Sequence, residues 1–444
     1  MLRLFSQAVV DLDLRSAWRR GLLLLACAAP SLLLAYGAIR WAYAETLADK
    51  NQVIPLQRAV ALDPRNPQFF DKLGRISLYS VNAPPNPDPV EYFQRAVALA
   101  PLEADYWADL ASACDWKGNV ACADRSLSQA LKLAPFAPRF EWFTANHYVR
   151  TARPSLALPH LRRLLELSPE YGSATFDLCA RAFGNTEMVM TEVLTRESNP
   201  VLKLAFLDYE AAHDRLDVAS RVWPEISSAK ADIPFDRVQS YFERLVAAGE
   251  IAQAEAVWSD LQRHGTVASE SSGNLVFNGR FEQTPLNGGF DWQFTKLPFV
   301  QADFHDTSRP SGAPCLRLDF TVARNDEVEP VFQLVPVQAS TDYTLTAQVR
   351  SVLITSDSGP RLRVTDALAP AEFTAQSEGT VGTTVWHEIT LHFTTGAKTR
   401  LLRLSVWRPR SRAFPPNIAG SFWLGDVWLG VGSSPPVAKS TRAP

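Results

Sequence analysis

The chain has 444 residues, a length that suggests about two to four domains. Its 44 basic and 47 acidic side chains give a formal net charge of −3. This balance excludes a nucleic-acid-binding protein that depends on bulk positive charge, and an acidic disordered chain. Five cysteines exclude a disulfide scaffold, whereas a hydrophobic content of 46% is ample for packed cores.

The first predicted element is a membrane helix. Residues 21–39 contain no charged side chain, and at about 1.5 Å per residue such a helix roughly spans the hydrocarbon core. A small excess of arginine before the helix predicts residues 1–20 in the cytoplasm, a single-pass anchor over 21–43 and the rest of the chain outside the cytoplasm. A signal peptide cleaved after Ala44 and a buried helix of a soluble domain are the alternatives.

A repeated phrase indicates a helical solenoid over residues 45–265. Four nine-residue phrases of similar sequence end in prolines that are spaced by 37, 34 and 34 positions, namely Pro64, Pro101, Pro135 and Pro169. A 34-residue period closed by proline resembles the tetratricopeptide repeat. Each helix pair is too small to bury its own apolar face, so we expect about six pairs to stack. Their groove would hold a peptide or partner protein.

Two cysteines flank the turn of the best-preserved repeat, which runs from Ala104 to Pro135. Cys114 and Cys122 lie eight residues apart on the two facing helices. Outside the cytoplasm they would form a disulfide, and the alternative is two small buried thiols. The other cysteines are isolated and no CxxC occurs, so no cysteine metal site is expected.

The hydrophobic period changes after a polar, serine-rich segment at 266–273, which we predict to be a linker. Beyond it, Tyr343, Leu345 and Ala347 alternate with polar residues, and other short segments repeat this pattern. Alternation of this kind, interrupted by glycine and proline, is typical of a β-sandwich, which we predict over 274–432. We expect the remaining residues, 433–444, to be a disordered tail.

The start and end of this region resemble a known family. Residues 274–282 read NLVFNGRFE and precede Gly289 and Trp292, and residues 422–429 read FWLGDVWL. The region is similar to galactose-binding-like jelly rolls, which include several families of carbohydrate-binding modules, and the resemblance covers about 155 residues. It implies a jelly-roll sandwich with a glycan ligand, but the same fold also serves as a plain structural module.

The same resemblance implies a structural calcium ion. Members often hold calcium near the first and last strands, which makes Glu282 and Asp426 the candidate ligands here. Calcium takes about six to eight oxygen ligands, and only these two side chains are identified. The alternative for Asp426 is a buried, hydrogen-bonded carboxylate. No other cofactor is expected.

Strand parity gives a candidate glycan platform. Trp407 shares the polar face of its strand with Arg403, and Trp386 shares a polar face with His392. Indole rings stack on the C–H faces of sugars while charged groups bind hydroxyls, so these four side chains are the predicted glycan-binding residues. The alternative is that each tryptophan covers an edge of the core.

A cluster of arginines surrounds this segment. No acidic residue accompanies Arg400, Arg403, Arg408, Arg410 and Arg412. Such a run would meet an anionic glycan or a lipid headgroup, or it would form a solvated edge and loop.

No catalytic motif is present. His387 and His392 are spaced one residue too far apart for the metalloprotease motif, and on a strand they point to opposite faces. We therefore predict that the protein is not an enzyme. A distant glycosidase would need two carboxyl groups about 5–10 Å apart across a cleft.

These elements predict a multidomain protein: an N-terminal transmembrane helix, an all-α tetratricopeptide-like solenoid and a C-terminal all-β jelly roll. Tethering of two binding modules raises the effective concentration of their ligands. We expect a membrane-anchored, periplasmic adaptor with a protein partner and a polysaccharide partner, in surface- or exopolysaccharide assembly of a bacterial envelope. The alternative is a purely structural envelope scaffold that binds no sugar.

Overall fold

A computed structural model describes residues 16–80, 88–194, 199–229, 233–268, 273–414 and 416–432. The predicted tail at 433–444, most of the predicted cytoplasmic segment and residues 269–272 of the predicted linker lie outside the described residues. The chain forms two compact units, Met1–Val193 and Leu194–Pro444.

The first helix, α1 (Ala17–Ala48), is 32 residues long and continues through Pro30. It is the one helix in the described part of the chain that is long and apolar enough to cross a membrane, a property that signal sequences share. Its apolar window is not buried in the protein. One face of its last turns is buried, because Ala44, Leu47 and Ala48 pack into a core with α2 (Val53–Leu62). The apolar helix therefore leads directly into the first repeat.

The first unit continues as antiparallel helix pairs. Its helices are α3 (Pro67–Tyr79), α4 (Pro89–Leu99), α5 (Ala104–Trp116), α6 (Val120–Leu133), α7 (Pro138–Arg150), α8 (Leu158–Leu167) and α9 (Gly172–Phe183). The side chains of Asn66, Asp88 and Asn119 accept backbone N–H groups at three of the N-termini. Proline occupies the first helical position of α3, α4 and α7. A backbone N–H at this position has no hydrogen-bond partner within the helix, so the lack of one in proline costs nothing.

Packing within these pairs follows the repeat. Leu110 and Ala111 of α5 are buried against Ala123 and Leu127 of α6. Helices α3 and α4 approach closely at Gly74, where an added Cβ would lie 2.7 Å from the Phe93 ring. Small residues therefore set the spacing within a pair, as the repeat pattern predicts. The predicted combination of a helical solenoid and a β-sandwich is confirmed.

The second unit begins with four helices, α10 (Pro200–Ala212), α11 (Leu216–Ser227), α12 (Gln239–Ala247) and α13 (Ile251–Arg263). Trp258 of α13 packs edge-to-face on Phe277 and Phe290, at ring-centroid distances of 5.3 and 5.6 Å. Gly289 lies directly under the indole, because an added Cβ would be 2.1 Å from it. Phe242 of α12 also contacts Phe290, so α12 and α13 share an aromatic core with the start of the β-region. The compact unit that contains the β-region begins at Leu194, and the linker at 266–273 stays a prediction.

The β-region is a sandwich of two antiparallel five-stranded sheets. Its strands are β1 (Gln293–Phe294), β2 (Val300–Asp306), β3 (Cys315–Arg324), β4 (Val328–Pro336), β5 (Asp342–Ile354), β6 (Arg361–Asp366), β7 (Thr374–Gln376), β8 (Gly382–Thr394), β9 (Leu401–Arg408) and β10 (Ile418–Val431). The first sheet has the order β1-β4-β9-β6-β7 and the second β2-β3-β10-β5-β8. Alternate apolar residues of both sheets meet in one core, as their period of two predicts.

Candidate binding sites

The first unit has a groove of about 450 Å³, formed mainly by α3, α5 and α7. Three aromatic side chains line it, one from each of these helices: Tyr79, Trp116 and Phe143. They are exposed by 68%, 65% and 44%, whereas Phe69, Phe93, Phe140 and Phe176 of the same unit are completely buried. Large apolar side chains gathered on an open concave surface are typical of a binding site for another molecule.

Ion pairs connect the helices that form the groove. Arg75 of α3 donates to Asp109 of α5 at 2.6 Å, and Arg139 of α7 donates to Asp105 of α5 at 3.0 Å. Arg150 of α7, which lines the groove, donates to Asp115 of α5 at 2.7 Å. These charges are compensated within the protein, so the aromatic side chains are the groups left to bind a ligand.

One carboxyl group near these pairs is strongly perturbed. Asp71 of α3 is buried, and its Oδ2 lies 2.9 Å from Arg75. Burial, together with the neighbouring Asp109, raises the pKa of Asp71 to about 7 despite the attraction of Arg75.

A fully buried histidine joins three helices beside the groove. His147 of α7 places Nδ1 2.6 Å from Asp115 of α5 and Nε2 2.7 Å from Asp124 of α6. The hydrogen bond from Arg153, more than that from His147, lowers the pKa of Asp124 below its usual value, against the effect of desolvation. Because the imidazole has no exposed surface, its two hydrogen bonds join α5, α6 and α7 inside the repeats.

The two cysteines of the predicted pair are joined in the structure. Cys114 of α5 and Cys122 of α6 form a disulfide with their Cα atoms 5.7 Å apart. The bond closes the turn next to Asp115 and Trp116, and so it braces one wall of the groove.

The predicted glycan-binding residues are divided between the two sheets. Trp407 and Arg403 lie on β9 in the first sheet, and Trp386 and His392 lie on β8 in the second. They therefore do not form one platform, and that part of the sequence-based prediction is corrected. Neighbouring segments of the chain need not be neighbouring strands, and here the chain crosses from the second sheet to the first between β8 and β9.

Arginines cover the tryptophans on both outer faces. On the first sheet, the guanidinium of Arg363 lies 4.3 Å from the Trp407 ring centroid, and the indole N–H donates to Glu327 at 3.0 Å. On the second sheet, Arg309 lies 5.5 Å from the Trp386 ring. Guanidinium groups stack on aromatic faces, and here they occupy a position that a sugar would need. His392 is held by the Thr344 hydroxyl at 2.9 Å.

The outer face of the first sheet also contains a charged network. Arg403 stacks 3.3 Å from the centroid of Phe332 and donates to Glu329 at 2.6 Å, and Arg363 donates to the same carboxylate at 3.0 Å. Burial acts to raise the pKa of Glu329, but hydrogen bonds from these arginines and Ser405 outweigh it and lower the pKa. Arg403 is therefore committed to this network.

One member of the arginine cluster is not on the surface. Arg408 is completely buried, which corrects the expectation that the whole run meets solvent or an anionic ligand. Its guanidinium donates five hydrogen bonds, to Ser358, Asn325, Asp326, Ser356 and Pro416. Arg408 thus joins the loops at this end of the sandwich, whereas Arg400, Arg410 and Arg412 are exposed.

The two candidate calcium ligands are each beside an arginine. Both Nη groups of Arg309 bind the Asp426 carboxylate, and Arg280 lies 3.9 Å from Glu282. No group of three or more histidine, cysteine, aspartate or glutamate side chains suited to a metal occurs among the described residues. The Asp426 carboxylate is paired with Arg309. Calcium binding stays a prediction.

Comparisons with known proteins find only distant, local similarity. No family model matches the chain, and no curated protein matches it. A solved MamA structure is 16% identical with a TM-score of 0.29, over 33% of this chain and 81% of that one. A structure described as "CBM4 structure and function" is 13% identical with a TM-score of 0.27, over 35% and 99%.

A third solved structure contains CBM22-1 and GH10 modules of a Clostridium thermocellum xylanase with xylohexaose. It is 13% identical with a TM-score of 0.26, over 37% of this chain and 29% of that one. Each likeness covers little more than a third of the chain and is too weak to assign a function.

Proposed function

We propose that this protein is a non-catalytic, membrane-anchored adaptor whose helical repeats bind an extended segment of a partner protein. The observation that carries the proposal is the groove lined by Tyr79, Trp116 and Phe143, which leaves three large aromatic side chains open to solvent. Burial of aromatic side chains supplies much of the binding energy in such interfaces.

The chemistry of the groove defines the ligand. Asp105, Asp109 and Asp115 are each paired with an arginine of a neighbouring helix. Of these pairs, Asp115–Arg150 lines the groove, so a charged ligand would have to compete with it, whereas apolar side chains would add to the aromatic surface without disturbing it. We therefore expect an extended segment with two or three large apolar residues, spaced to reach the three aromatic side chains.

A peptide-display experiment tests this proposal. Random peptides are selected on the full chain in lipid nanodiscs, and the best binders are measured by calorimetry. Single alanine substitutions of Tyr79, Trp116 and Phe143 should each weaken binding by about tenfold or more, the effect of losing a buried aromatic anchor. Trp407→Ala, in the other unit, is the control. Selected apolar peptides that bind all three groove variants normally would contradict the proposal.

The anchor and the disulfide support the predicted compartment. An apolar helix leads directly into the repeats, and the Cys114–Cys122 disulfide would persist only in an oxidising compartment. We propose an N-terminus in the cytoplasm and the repeats in the periplasm. Alkylation and mass spectrometry of protein from intact cells test this, because free thiols at both positions would contradict it.

For the sandwich, we propose glycan binding, in the setting of surface- or exopolysaccharide assembly. The remaining candidate is a purely structural role. The arginine-covered tryptophans favour that role for the outer faces, whereas the sandwich has another surface that is better suited to a sugar.

A further inference from the structure

The open edge of the sandwich contains a cleft of about 360 Å³ that is separate from the tryptophans on the outer faces. β1 is the edge strand of the first sheet and β2 is the edge strand of the second. Phe294 of β1 and Phe304 of β2 meet here in an edge-to-face contact, with ring centroids 6.3 Å apart. Both side chains are half-buried, so part of this aromatic wall faces the cleft.

The base of the cleft is closely packed. Trp292 is completely buried, stacks on Phe281 at 5.2 Å and donates its indole N–H to the Asn278 carbonyl. No lysine or arginine lines this cleft within the described residues, so its aromatic wall lacks the guanidinium cover found over Trp407 and Trp386.

Polar groups surround the aromatic wall. Asn287 accepts the Phe294 N–H at 2.8 Å through its oxygen, which leaves the amide N–H₂ as a donor. Asp303 accepts the His305 N–H at 2.9 Å through one oxygen and retains a second acceptor. The His305 ring lies 3.1 Å from the Thr284 hydroxyl. These bonds hold donors and acceptors in fixed positions beside the aromatic wall.

We propose that this cleft binds a single neutral sugar ring, such as the terminal unit of a glycan. Phe294 and Phe304 would contact the C–H face of the ring, while Asn287 and Asp303 would bind its hydroxyl groups. The volume lies near the lower end of the range for small-molecule sites, about 300 Å³, which suits one ring. The Asp303 carboxylate selects against acidic sugars.

This inference rests on the proposed glycan function of the sandwich and places the binding site in the cleft between β1 and β2. The test uses the full chain in lipid nanodiscs, because sugar-based detergents would compete for the site. Binding to a panel of immobilised neutral and acidic glycans is compared for the wild type, Asp303→Asn and Trp407→Phe. Asp303→Asn keeps the bond to the His305 N–H and changes only the remaining acceptor to a donor.

We expect the wild type to bind a neutral glycan. Asp303→Asn should bind it at least about tenfold more weakly with an unchanged melting temperature, the effect of losing one hydrogen bond to a charged group. Trp407→Phe should bind normally. If Trp407→Phe loses glycan binding while Asp303→Asn binds normally, the cleft is not the binding site, although the sandwich does bind glycans. A preference of the wild type for acidic glycans would also contradict the proposal that the cleft is the binding site. If no glycan binds while peptides still bind the groove, the cleft and the glycan role of the sandwich are both wrong.

Discussion

The two regions of this protein use exposed aromatic side chains in opposite ways. In the helical repeats, Trp116 is 65% exposed and stands in an open groove. In the sandwich, Trp423 has the same chemistry on an outer sheet face, but Arg317 and Arg350 lie 5.3 and 4.9 Å from its ring and it is only 6% exposed. Trp407 and Trp386 are covered in the same manner.

The difference shows that a tryptophan on a polar face is not in itself a binding site. Whether the ring can accept a ligand depends on which side chains the neighbouring strands or helices place over it. Arginines from adjacent strands cover Trp407 and Trp423, and Arg309, between β2 and β3, covers Trp386. In the groove, the charged groups Asp115 and Arg150 pair with each other across helices. The groove aromatics therefore remain open.

The largest expected effect tests whether arginines of the sandwich are structural. Arg408→Met should destabilise the second unit by about 3–5 kcal/mol, because five hydrogen bonds are lost and buried acceptors are left without donors. Arg410→Met, at an exposed neighbour, should change stability by less than about 0.5 kcal/mol. Urea unfolding of the full chain measures both. Equal effects would mean that Arg408 is not the buried connector described here.

A glycine substitution tests whether helix α13 belongs to the sandwich unit. Gly289→Ala should destabilise the unit by about 2–4 kcal/mol, since the new methyl group would clash with Trp258 at a positive φ of 62°. Gly312→Ala is the matched control, with φ of 71° and no atom within 4 Å of the added Cβ. It should cost only about 1 kcal/mol, the effect of the backbone alone. Similar melting temperatures for the two variants would argue against the shared aromatic core.

A pair of tryptophan substitutions compares the two regions directly. Trp407→Ala should destabilise its unit by about 1–2 kcal/mol, because it removes the packing with Arg363 and the hydrogen bond to Glu327. Trp116→Ala should change stability by about 0.5 kcal/mol or less, since most of its ring is in solvent. Thermal unfolding checks both. The reverse order would contradict the comparison.

The last expected effect concerns pH and the first unit. The pKa of Asp71 is raised to about 7, so the folded state binds more protons than the unfolded state between about pH 4 and 7. Stability contributed by this group should therefore fall as pH rises through that window. Asp71→Asn should be more stable than the wild type at pH 8, by about 1–2 kcal/mol, and should show a flatter pH dependence.

Unfolding of the first unit at pH 5 and pH 8 provides the measurement. Glu103→Gln, which changes an exposed carboxyl group on α5's N-terminal side, is the control and should leave the pH dependence unchanged. A pH dependence that is the same in Asp71→Asn and in the wild type would show that Asp71 does not titrate near neutrality.

Much of the architecture is predictable because it depends on local spacing. The recurring prolines mark the ends of helices, and the alternation in β5 and β9 assigns inward and outward faces correctly. The burial of Arg408 was also predictable from this alternation, because Arg408 points to the same inward side of the strand as Leu404 and Val406. Trp116 lies 37 residues after Tyr79, which is the spacing of the first two repeats. This spacing predicts that the two side chains occupy equivalent positions in successive repeats.

The candidate sites were harder to predict because they depend on contacts between distant segments. The cover over Trp407 comes from β6, and the partners of His147 come from two other helices. Residues 386 and 407 are close in sequence but lie in different sheets. Nothing in the local pattern indicates that β1 and β2 form neighbouring edges, so the cleft between Phe294 and Phe304 becomes visible only in the folded structure.

Site-specific photo-crosslinking in native cells would test the central claim, that the groove of the repeats binds a partner protein. A photoreactive phenylalanine analogue is introduced at Tyr79, Trp116 or Phe143 and, as a control, at exposed Arg125 on α6. We predict that the three groove positions crosslink to the same segment of one partner, rich in apolar residues, and that Arg125 does not. Crosslinking of that segment from Arg125 alone, or the absence of crosslinks from all three groove positions, would contradict the account.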